Sequence, residues 1–371
     1  MSNLVVGAGL SGSVLANLIA TKLNEKVVII DKRSEIAGNI YDYINKETGI
    51  IVHKYGPHIF HTNNKKVWDY LSEYTKWHPF ILEPNAVIQG KVCNIPFNLN
   101  TLYQLFSKSS AQKLEKKLIG NYGYGNKIPI LKLRENPDND LKFLSNYIYE
   151  NMFKNYTIKQ WGVKPEEIDL SVTARVPVQI SYDNRYFQDK YQGIPLYGYT
   201  KLIENILNHP NIKVVLNKNF KDVKDNYDRI FYSGSIDEYF YYKFGQLPYR
   251  SLEFEIKMLD MQYYQKSVVT NYPNEFNYTR ITEHKYFLNQ KSDKTIISLE
   301  YPKDFKIGVN ERFYPVVNKK SSELYEKYYS EIENVNNLYF IGRLGAYQYL
   351  NMDAAVEKVF ELFKNVFGID L

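Results

Sequence analysis

Cysteine is almost absent from this sequence, since Cys93 is the only one in 371 residues. A single cysteine excludes an intrachain disulfide framework and any metal cluster built from several thiolates of one chain. Long apolar runs are also missing, because no stretch approaches the roughly 20 residues that span a bilayer. The first apolar stretch leads into a glycine turn and not into a cleavage site, so we expect a cytoplasmic protein with no membrane span.

Blocks of like charge are missing as well, although the net charge is +6. Dispersed basic residues argue against a nucleic-acid-binding arm, and a diffuse positive balance suits a small substrate that carries phosphate. A length of 371 residues allows two or three domains that share a cofactor.

A glycine-rich turn follows the first apolar run. Residues 3–6 are typical of a buried parallel strand, and GAGLSG at residues 7–12 precedes a helical pattern of apolar residues. In such a turn Gly7 makes the tight bend, Gly9 lets a pyrophosphate approach, and Gly12 lets helix and strand pack closely. A second strand ends at Asp31, whose carboxylate suits the hydroxyls of an adenosine ribose. The order of strand, turn, helix, strand and acid therefore predicts a dinucleotide site.

The turn alone does not choose between NAD and FAD, because enzymes of both kinds share it. Gly38 and Asn39 lie shortly after the acid. A second glycine turn beside the adenosine half favours FAD.

Residues 41–61 predict a hairpin followed by a loop that contains His53, His58 and His61. Three histidines in an extended segment do not share one face, and no paired carboxylate accompanies them. We therefore interpret the segment as a loop that lines the cofactor and predict no metal site.

The remaining pattern predicts interleaved domains. Helical spacing covers residues 65–78, 98–119, 141–160 and 201–208. Residues 120–140 have the composition of a loop. Residues 211–234 contain two strands that end in FYSGS, a glycine turn under the cofactor sheet. Strand-like alternation covers residues 250–301, and a buried strand, a loop and a long amphipathic helix begin at residue 338. The cofactor domain is thus expected to combine the start, the middle and the end of the chain.

Five stretches together resemble the bacterial UDP-galactopyranose mutases: HKYGPHIFHT (53–62), NYTIKQWG (155–162), YQGIPLYGYTKL (191–202), YTRITEHK (278–285) and FIGRLGAYQYLNMD (340–353). They follow the family's order and spacing. The resemblance implies an α/β fold in which an FAD-binding Rossmann-like domain carries an inserted helical bundle and a six-stranded antiparallel sheet. The expected boundaries are 1–80, 201–240 and 302–371 for the FAD domain, 98–172 for the helical domain with a mobile loop at 123–140, and 81–97, 173–200 and 241–301 for the sheet.

The resemblance also implies an activity. Members of this family interconvert UDP-galactopyranose and UDP-galactofuranose with noncovalent, reduced FAD, supplying galactofuranose for cell-surface polysaccharide. Flavin N5 attacks the anomeric carbon and UDP leaves, so the cofactor is the nucleophile and no net redox change occurs. An external electron donor must reduce the flavin, and the family resemblance implies a homodimer.

Roles for individual residues follow from the same motifs. Arg175 and Arg280 match the two arginines that hold the diphosphate, and His58 and His61 lie in the loop that faces the flavin, so these four are the catalytic candidates. The substrate-binding candidates are Phe153, Tyr156, Thr157, Trp161, Arg175, Tyr186, Asn271, Arg280, Tyr314 and Tyr349, with core packing nearly as plausible for Phe153. The cofactor-binding candidates are Gly7, Gly9, Ser11, Gly12, Asp31, Lys32, Gly38, Asn39, His58, His61, Arg343, Asn351, Met352 and Asp353. The family usually has Asp where this chain has Asn351, so the resemblance supports a cofactor contact less strongly at this position than at the others.

Three alternatives stay open. The same reaction on UDP-N-acetylgalactosamine would need only a small change in the pocket. An amine-oxidase-like FAD oxidoreductase shares the glycine turn but has no need of the two arginines. A noncatalytic nucleotide- or nucleic-acid-binding protein would need a stacking platform that the aromatic pattern does not show.

Overall fold

The computed structural model describes residues 1–164, 177–223, 226–332, 335 and 337–371. Arg175 therefore lies outside the described residues. The strands are β1 (Ser2–Val6), β2 (Lys26–Ile30), β3 (Asp42–Ile44), β4 (Ile51–His53), β5 (Phe60–Thr62), β6 (Trp77–Pro79), β7 (Asn85–Ile88), β8 (Lys91–Asn94), β9 (Lys127–Ile128), β10 (Val178–Gln179), β11 (Tyr191–Pro195), β12 (Ile212–Val215), β13 (Arg229–Tyr232), β14 (Tyr249–Leu259), β15 (Val269–Asn271), β16 (Arg280–Glu283), β17 (Thr295–Asp304), β18 (Tyr314–Pro315) and β19 (Leu338–Phe340). The α-helices are α1 (Leu10–Lys22), α2 (Lys65–Ser72), α3 (Leu99–Leu105), α4 (Lys108–Tyr122), α5 (Ile130–Arg134), α6 (Asn139–Ile148), α7 (Asn155–Trp161), α8 (Tyr199–Leu207), α9 (Ile236–Tyr239), α10 (Lys319–Ile332), α11 (Gly342–Gly345) and α12 (Met352–Phe367).

A five-stranded parallel sheet forms the Rossmann-like part, in the order β12-β2-β1-β13-β19. Its central strands are rich in Val and Ile and are buried, as strands covered on both faces must be. Helices α1, α8 and α12 pack together beside it, and Asn17 of α1 donates to the carbonyl of Ile206 at 2.7 Å. The sheet draws on the start, the middle and the end of the chain, as the sequence predicts.

A second sheet has seven strands, in the order β18-β14-β17-β16-β15-β7-β8. The expectation of six antiparallel strands is wrong in two details. The two-residue strand β18 adds a seventh member beside β14, and β7 pairs with β15 in parallel, so the sheet is mixed. The parallel pair arises because β7 and β15 are far apart in the chain and are not joined by a hairpin, so their relative direction is not constrained by a turn.

The helical part, α3–α7, has an apolar core that is built from α3–α6 and shared with β7, β8 and β10. The single helix expected over residues 98–119 is two helices, because the side chain of Ser107 caps α4 and the chain is extended at Phe106. Within residues 120–140 the structure has the short strand β9 and the helix α5, where the sequence predicted only a loop. A π-helical turn at Tyr149–Lys154 joins α6 to α7. Such turns are frequent at functional sites.

The histidine-rich segment forms the hairpin β3–β4 and then β5, which pairs with β11. Helix α2 is shorter than the predicted 65–78, since residues 77–79 form β6. Pro79 favours the extended backbone of His78 in β6, because the residue before a proline avoids the helical conformation. Within the described part of the chain, no helix is both long and apolar enough to cross a membrane.

Candidate active site

A cleft of about 270 Å³ lies at the carboxyl ends of the parallel strands. Ligands of open α/β sheets bind at this edge. Most of the predicted cofactor residues line the cleft: Gly7, Gly9, Ser11, Gly12, Asp31, Lys32, Gly38, Asn39, His58, Arg343, Asn351 and Met352. Asp353 and His61 are not among its lining residues.

The glycine turn has the geometry that the motif predicts. Gly7 has φ +104°, and its N–H donates to the carbonyl of Ile30 at 2.7 Å. A Cβ at Gly7 would lie 1.9 Å from Oγ of Ser233, and a Cβ at Gly12 would lie 2.0 Å from the carbonyl oxygen of Gly7. A side chain at Gly12 would therefore displace the backbone of the turn, and one at Gly7 would displace Ser233 and hold an L-residue at positive φ.

The carboxylate of Asp31 is bound to the backbone of the same turn. Its Oδ2 accepts from the N–H of Ala8 at 2.8 Å, and its Oδ1 accepts from the N–H of Arg33 at 2.9 Å. The acid therefore fixes the turn between β1 and α1 while it lines the cleft. Its contact with a ribose remains a prediction.

Arg33 is a cleft residue that the sequence analysis missed. Its guanidinium lies 4.7 Å from the ring centre of Tyr55, donates to Oδ1 of Asn39 at 3.1 Å, and lies 3.7 Å from a carboxylate oxygen of Glu311. Lys32 pairs with the same carboxylate at 3.0 Å. The basic pair directly after Asp31 was the available signal, but Glu311 is 278 positions from Arg33 and no local pattern links it to this site.

The cleft fits a dinucleotide on structural grounds. Helix α1 starts at Leu10 with Gly9 as its N-cap, so no side chain covers the first N–H groups. Those N–H groups and the helix dipole favour a pyrophosphate. The first turn of α12 also borders the cleft through Met352 and Ala355.

His58 reaches the cleft from the loop after β4. Burial lowers its pKa to about 3, and the nearby positive charges of Arg343 and Arg280 contribute in the same direction. The imidazole is therefore neutral at physiological pH and can accept or donate one hydrogen bond at each nitrogen.

An aromatic cluster adjoins the cleft next to Arg343. The ring centre of Trp161 lies 5.7 Å from that of Tyr314 and 5.8 Å from that of Tyr349, and the two tyrosine rings are stacked at 5.5 Å. The guanidinium of Arg343 lies 5.2 Å and 4.9 Å from these tyrosine ring centres. It also donates to the carbonyl of Leu350 through Nε and Nη2. Four predicted site residues from three distant segments thus meet at one point.

Arg280 lies in the same neighbourhood, on β16. Its Nε and Nη2 both bind Oε2 of Glu300, at 2.8 Å and 2.7 Å. Burial opposes the positive charge, yet the pKa of Arg280 is raised because Glu300 stabilises the cation. Burial raises the pKa of Tyr156 and of Tyr314. Both phenols therefore stay protonated and can donate beside this cation.

The other substrate candidates have mixed surroundings. Asn271 lies directly opposite Arg280 in the β15–β16 register, and its Oδ1 is buried without a hydrogen-bond partner among the described atoms. Thr157 is buried in α7, and Tyr186 packs edge-on against Phe187. Phe153 packs on the apolar core of the helical part, which is the structural role that the sequence left open.

His61 does not share the surroundings of His58, because His58 lines the cleft and His61 does not. Its ring stacks on Phe187 at 3.6 Å, and its Nδ1 is 2.7 Å from Oδ2 of Asp189. Side chains alternate along β5, and Phe60 takes the position that faces the core. The structure gives no support for a flavin contact by His61, which stays a prediction.

Arg250 is a further residue that the sequence analysis missed. It is buried on β14 and donates to the carbonyls of Lys159 and Gln160 at 2.9 Å and 3.0 Å. These carbonyls belong to the last turn of α7, which carries Trp161. A cation at a helix C-terminus satisfies carbonyls that have no partner in the helix. Arg250 also pairs with Asp304.

Comparisons with known proteins agree with this geometry. A family model described as UDP-galactopyranose mutase matches residues 151–349, and one described as an NAD(P)-binding Rossmann-like domain matches residues 5–74. The chain is 40% identical over 357 residues to a probable UDP-galactopyranose mutase of Klebsiella pneumoniae, covering 95% of this chain and 91% of that protein. It is 38% identical over 369 residues to a dTDP-fucopyranose mutase of Escherichia coli, covering 96% of each.

A crystal structure of reduced UDP-galactopyranose mutase has the same fold, with a TM-score of 0.76 at 14% identity, covering 99% of this chain and 94% of that one. The matching family model covers the aromatic cluster, Arg280 and Arg343, while the Rossmann-like match covers the glycine turn. The chain therefore belongs to the UDP-galactopyranose mutase family.

Proposed function

We propose that this protein interconverts UDP-galactopyranose and UDP-galactofuranose with reduced FAD. The observation that carries the proposal is the convergence of Arg280, Trp161, Tyr314 and Tyr349 beside the Arg343 end of a dinucleotide cleft. A fixed cation, a group of tyrosines and a flat indole suit a diphosphate that is joined to a sugar.

When bound, reduced FAD supplies the nucleophilic N5 that displaces UDP from the anomeric carbon. Arg280 neutralises the diphosphate, and it does so more strongly as the leaving oxygen gains negative charge. Tyr156 and Tyr314 keep their protons because burial raises their pKa, so both can donate to phosphate oxygens. Trp161 offers a flat surface beside the sugar. We propose that Arg175 supplies the second diphosphate contact.

The role of His58 follows from its neutral imidazole at the cleft. A neutral ring has one donor and one acceptor nitrogen, so His58 can hydrogen-bond the cofactor without adding a fixed positive charge. Arg343 keeps a positive charge next to the two stacked tyrosines and is held by the carbonyl of Leu350.

The test is an assay of UDP-galactofuranose conversion by chromatography, with the purified protein oxidised or reduced by dithionite. We expect a yellow protein that is inert when oxidised and active when reduced, with no stoichiometric consumption of reductant. Reconstitution with 5-deaza-FAD, whose position 5 is carbon, should abolish turnover and leave substrate binding unchanged. Equal activity in both oxidation states would contradict the proposal, and stoichiometric consumption of reductant would favour an oxidoreductase.

A second candidate substrate is dTDP-fucopyranose. The chain is 38% identical to the dTDP-fucopyranose mutase and 40% identical to the Klebsiella protein. UDP-N-acetylgalactosamine is a third candidate, because a small change in the pocket would admit it. The same assay with dTDP-fucopyranose and UDP-N-acetylgalactosamine separates the three. The preferred substrate is the one with the highest kcat/KM.

We further propose a cytoplasmic homodimer that receives electrons from an external donor. The division into an FAD domain, a helical domain with a mobile loop at 123–140 and a sheet domain is retained as a proposal. Analytical ultracentrifugation measures the oligomeric state, and limited proteolysis locates the boundaries and the loop.

A further inference from the structure

The main chain of His58 is held on both sides by buried side chains. Its N–H donates to Nδ1 of His53 at 3.2 Å, and its carbonyl accepts from the hydroxyl of Tyr199 at 3.1 Å. His53 and Tyr199 are each 1% exposed. Neither belongs to the lining of the cleft, whereas His58 does.

The ring of His53 is itself fixed by its neighbours. It stacks on Phe287 with ring centres 4.3 Å apart and an angle of 6° between the ring planes. Its backbone N–H donates to Nδ1 of His284 at 3.3 Å, and Nε2 of His284 lies 3.1 Å from Oγ of Ser298. Because Nδ1 of His53 accepts a hydrogen bond, this imidazole is neutral with its proton on Nε2.

The position of Tyr199 is fixed by hydrogen bonds from the backbone of its helix to a carboxylate. Tyr199 is the first residue of α8, and its backbone N–H donates to Oδ2 of Asp42 at 2.6 Å, while the N–H of Thr200 donates to Oδ1 at 2.9 Å. Asp42 lies opposite His53 in the β3–β4 hairpin. One hairpin therefore carries His53 and also anchors the helix that presents Tyr199.

We propose that His53 and Tyr199 are positioning residues that hold the main chain of His58 against the bound cofactor, an inference that rests on the proposed function. A turn whose N–H and carbonyl are both fixed cannot rotate its peptide planes without breaking a buried hydrogen bond. The imidazole of His58 is thereby kept at one place beside the cofactor. Such preorganisation acts on the chemical step more than on substrate binding.

The first test compares two tyrosines that each lose one buried hydroxyl. Tyr199→Phe removes the bond to His58, and Tyr328→Phe removes a hydroxyl that bonds to Gly245 and Phe244, none of which lines the cleft. For Tyr199→Phe we expect about a tenfold fall in kcat with KM within about twofold. We also expect a changed visible circular dichroism spectrum and midpoint potential of the bound flavin. Tyr328→Phe should lower the melting temperature and leave the flavin and kcat unchanged.

The second test uses an isosteric rescue at His53. His53→Leu removes the acceptor, whereas His53→Asn keeps an oxygen at the place of Nδ1. We expect His53→Leu to change kcat and the flavin signals and His53→Asn to restore most of both. Because His53→Asn and Tyr199→Phe are small changes, they keep the test decisive if His53→Leu does not fold.

The visible circular dichroism spectrum and the midpoint potential of the flavin decide whether the inference is overturned. If Tyr199→Phe and His53→Leu lower stability only, as Tyr328→Phe does, the two residues are structural. If wild-type protein converts no nucleotide sugar, the proposed function fails, but the flavin spectrum and potential still decide whether His53 and Tyr199 position the loop.

Discussion

Arg280 and Glu300 lie directly opposite each other in β16 and β17, and one carboxylate oxygen binds two nitrogens of the guanidinium. Glu300 is 2% exposed, so the pair is shielded from water. An arginine held along one edge presents its remaining N–H groups in a fixed direction. This arrangement gives Arg280 the rigidity that recognition of a diphosphate requires.

Replacement of Glu300 should impair Arg280 without removing it. We expect Glu300→Gln to lower kcat/KM by about 10- to 100-fold, since a charged hydrogen bond contributes roughly 1.5–3 kcal/mol. Glu253→Gln is the control, because Glu253 lies on the same sheet in an exposed pair with Lys303 and such pairs contribute little. Steady-state kinetics of both reduced, FAD-replete variants are the measurement. If Glu300→Gln and Glu253→Gln have the same kcat/KM, Glu300 does not orient Arg280.

Loss of Arg280 itself should act on the transition state and on binding. Arg280→Ala should lower kcat and raise KM, and Arg280→Lys should recover only part of the loss because a point charge cannot replace the fork. We predict the same pattern for Arg175. FAD content and absorbance should stay normal in each variant. Wild-type kcat/KM in both alanine variants would remove the basis of the proposed mechanism.

Gly162 should be intolerant of a side chain. It ends α7 with φ +73°, and a Cβ there would lie 2.9 Å from Nη1 of Arg250. We expect Gly162→Ala to lower the free energy of unfolding by about 1–2 kcal/mol and to lower kcat, because Trp161 is adjacent. Gly120→Ala is the control: Gly120 lies inside α4 with open space around it, so this change should raise stability by about 0.5–1 kcal/mol. Chemical denaturation and kcat measurements test both.

Stability should fall as the pH is lowered from 6.5. Burial lowers the pKa of His284 to about 3, and His58 also has a pKa of about 3 because of burial and the charge of Arg343. The unfolded chain binds protons at these groups near pH 6.5, whereas the folded protein does not, so stability present above pH 6.5 is lost as the pH falls towards 3.

Each histidine should contribute up to about 2 kcal/mol of this loss between pH 6.5 and 5. Urea denaturation of wild-type protein and His284→Gln at several pH values measures the slope. The variant should show the shallower dependence on pH. An identical slope would mean that His284 does not resist protonation. In the same range kcat/KM should have no acid limb from His58, because its imidazole remains neutral in the folded protein.

The sequence by itself determined the parts of this protein that depend on local pattern. The turn requires glycine at Gly7 and Gly12, because a Cβ at Gly7 would collide with Ser233 and a Cβ at Gly12 with the carbonyl oxygen of Gly7. The parallel strands follow from short runs of Val and Ile, and the separated motifs place the chain in its family. Local periodicity specifies such features because it acts within one turn or one strand.

Only the tertiary structure decided which distant residues meet. Glu300 pairs with Arg280 because of the register of β16 and β17, Arg250 reaches the end of α7 from β14, and His53 meets His58 and His284 inside the core. The extra edge strand β18 and the parallel pairing of β7 with β15 were likewise hidden from the sequence. The physical reason is that register and packing are set by the burial of whole surfaces, and one residue of slip would turn Arg280 to the other face of its sheet.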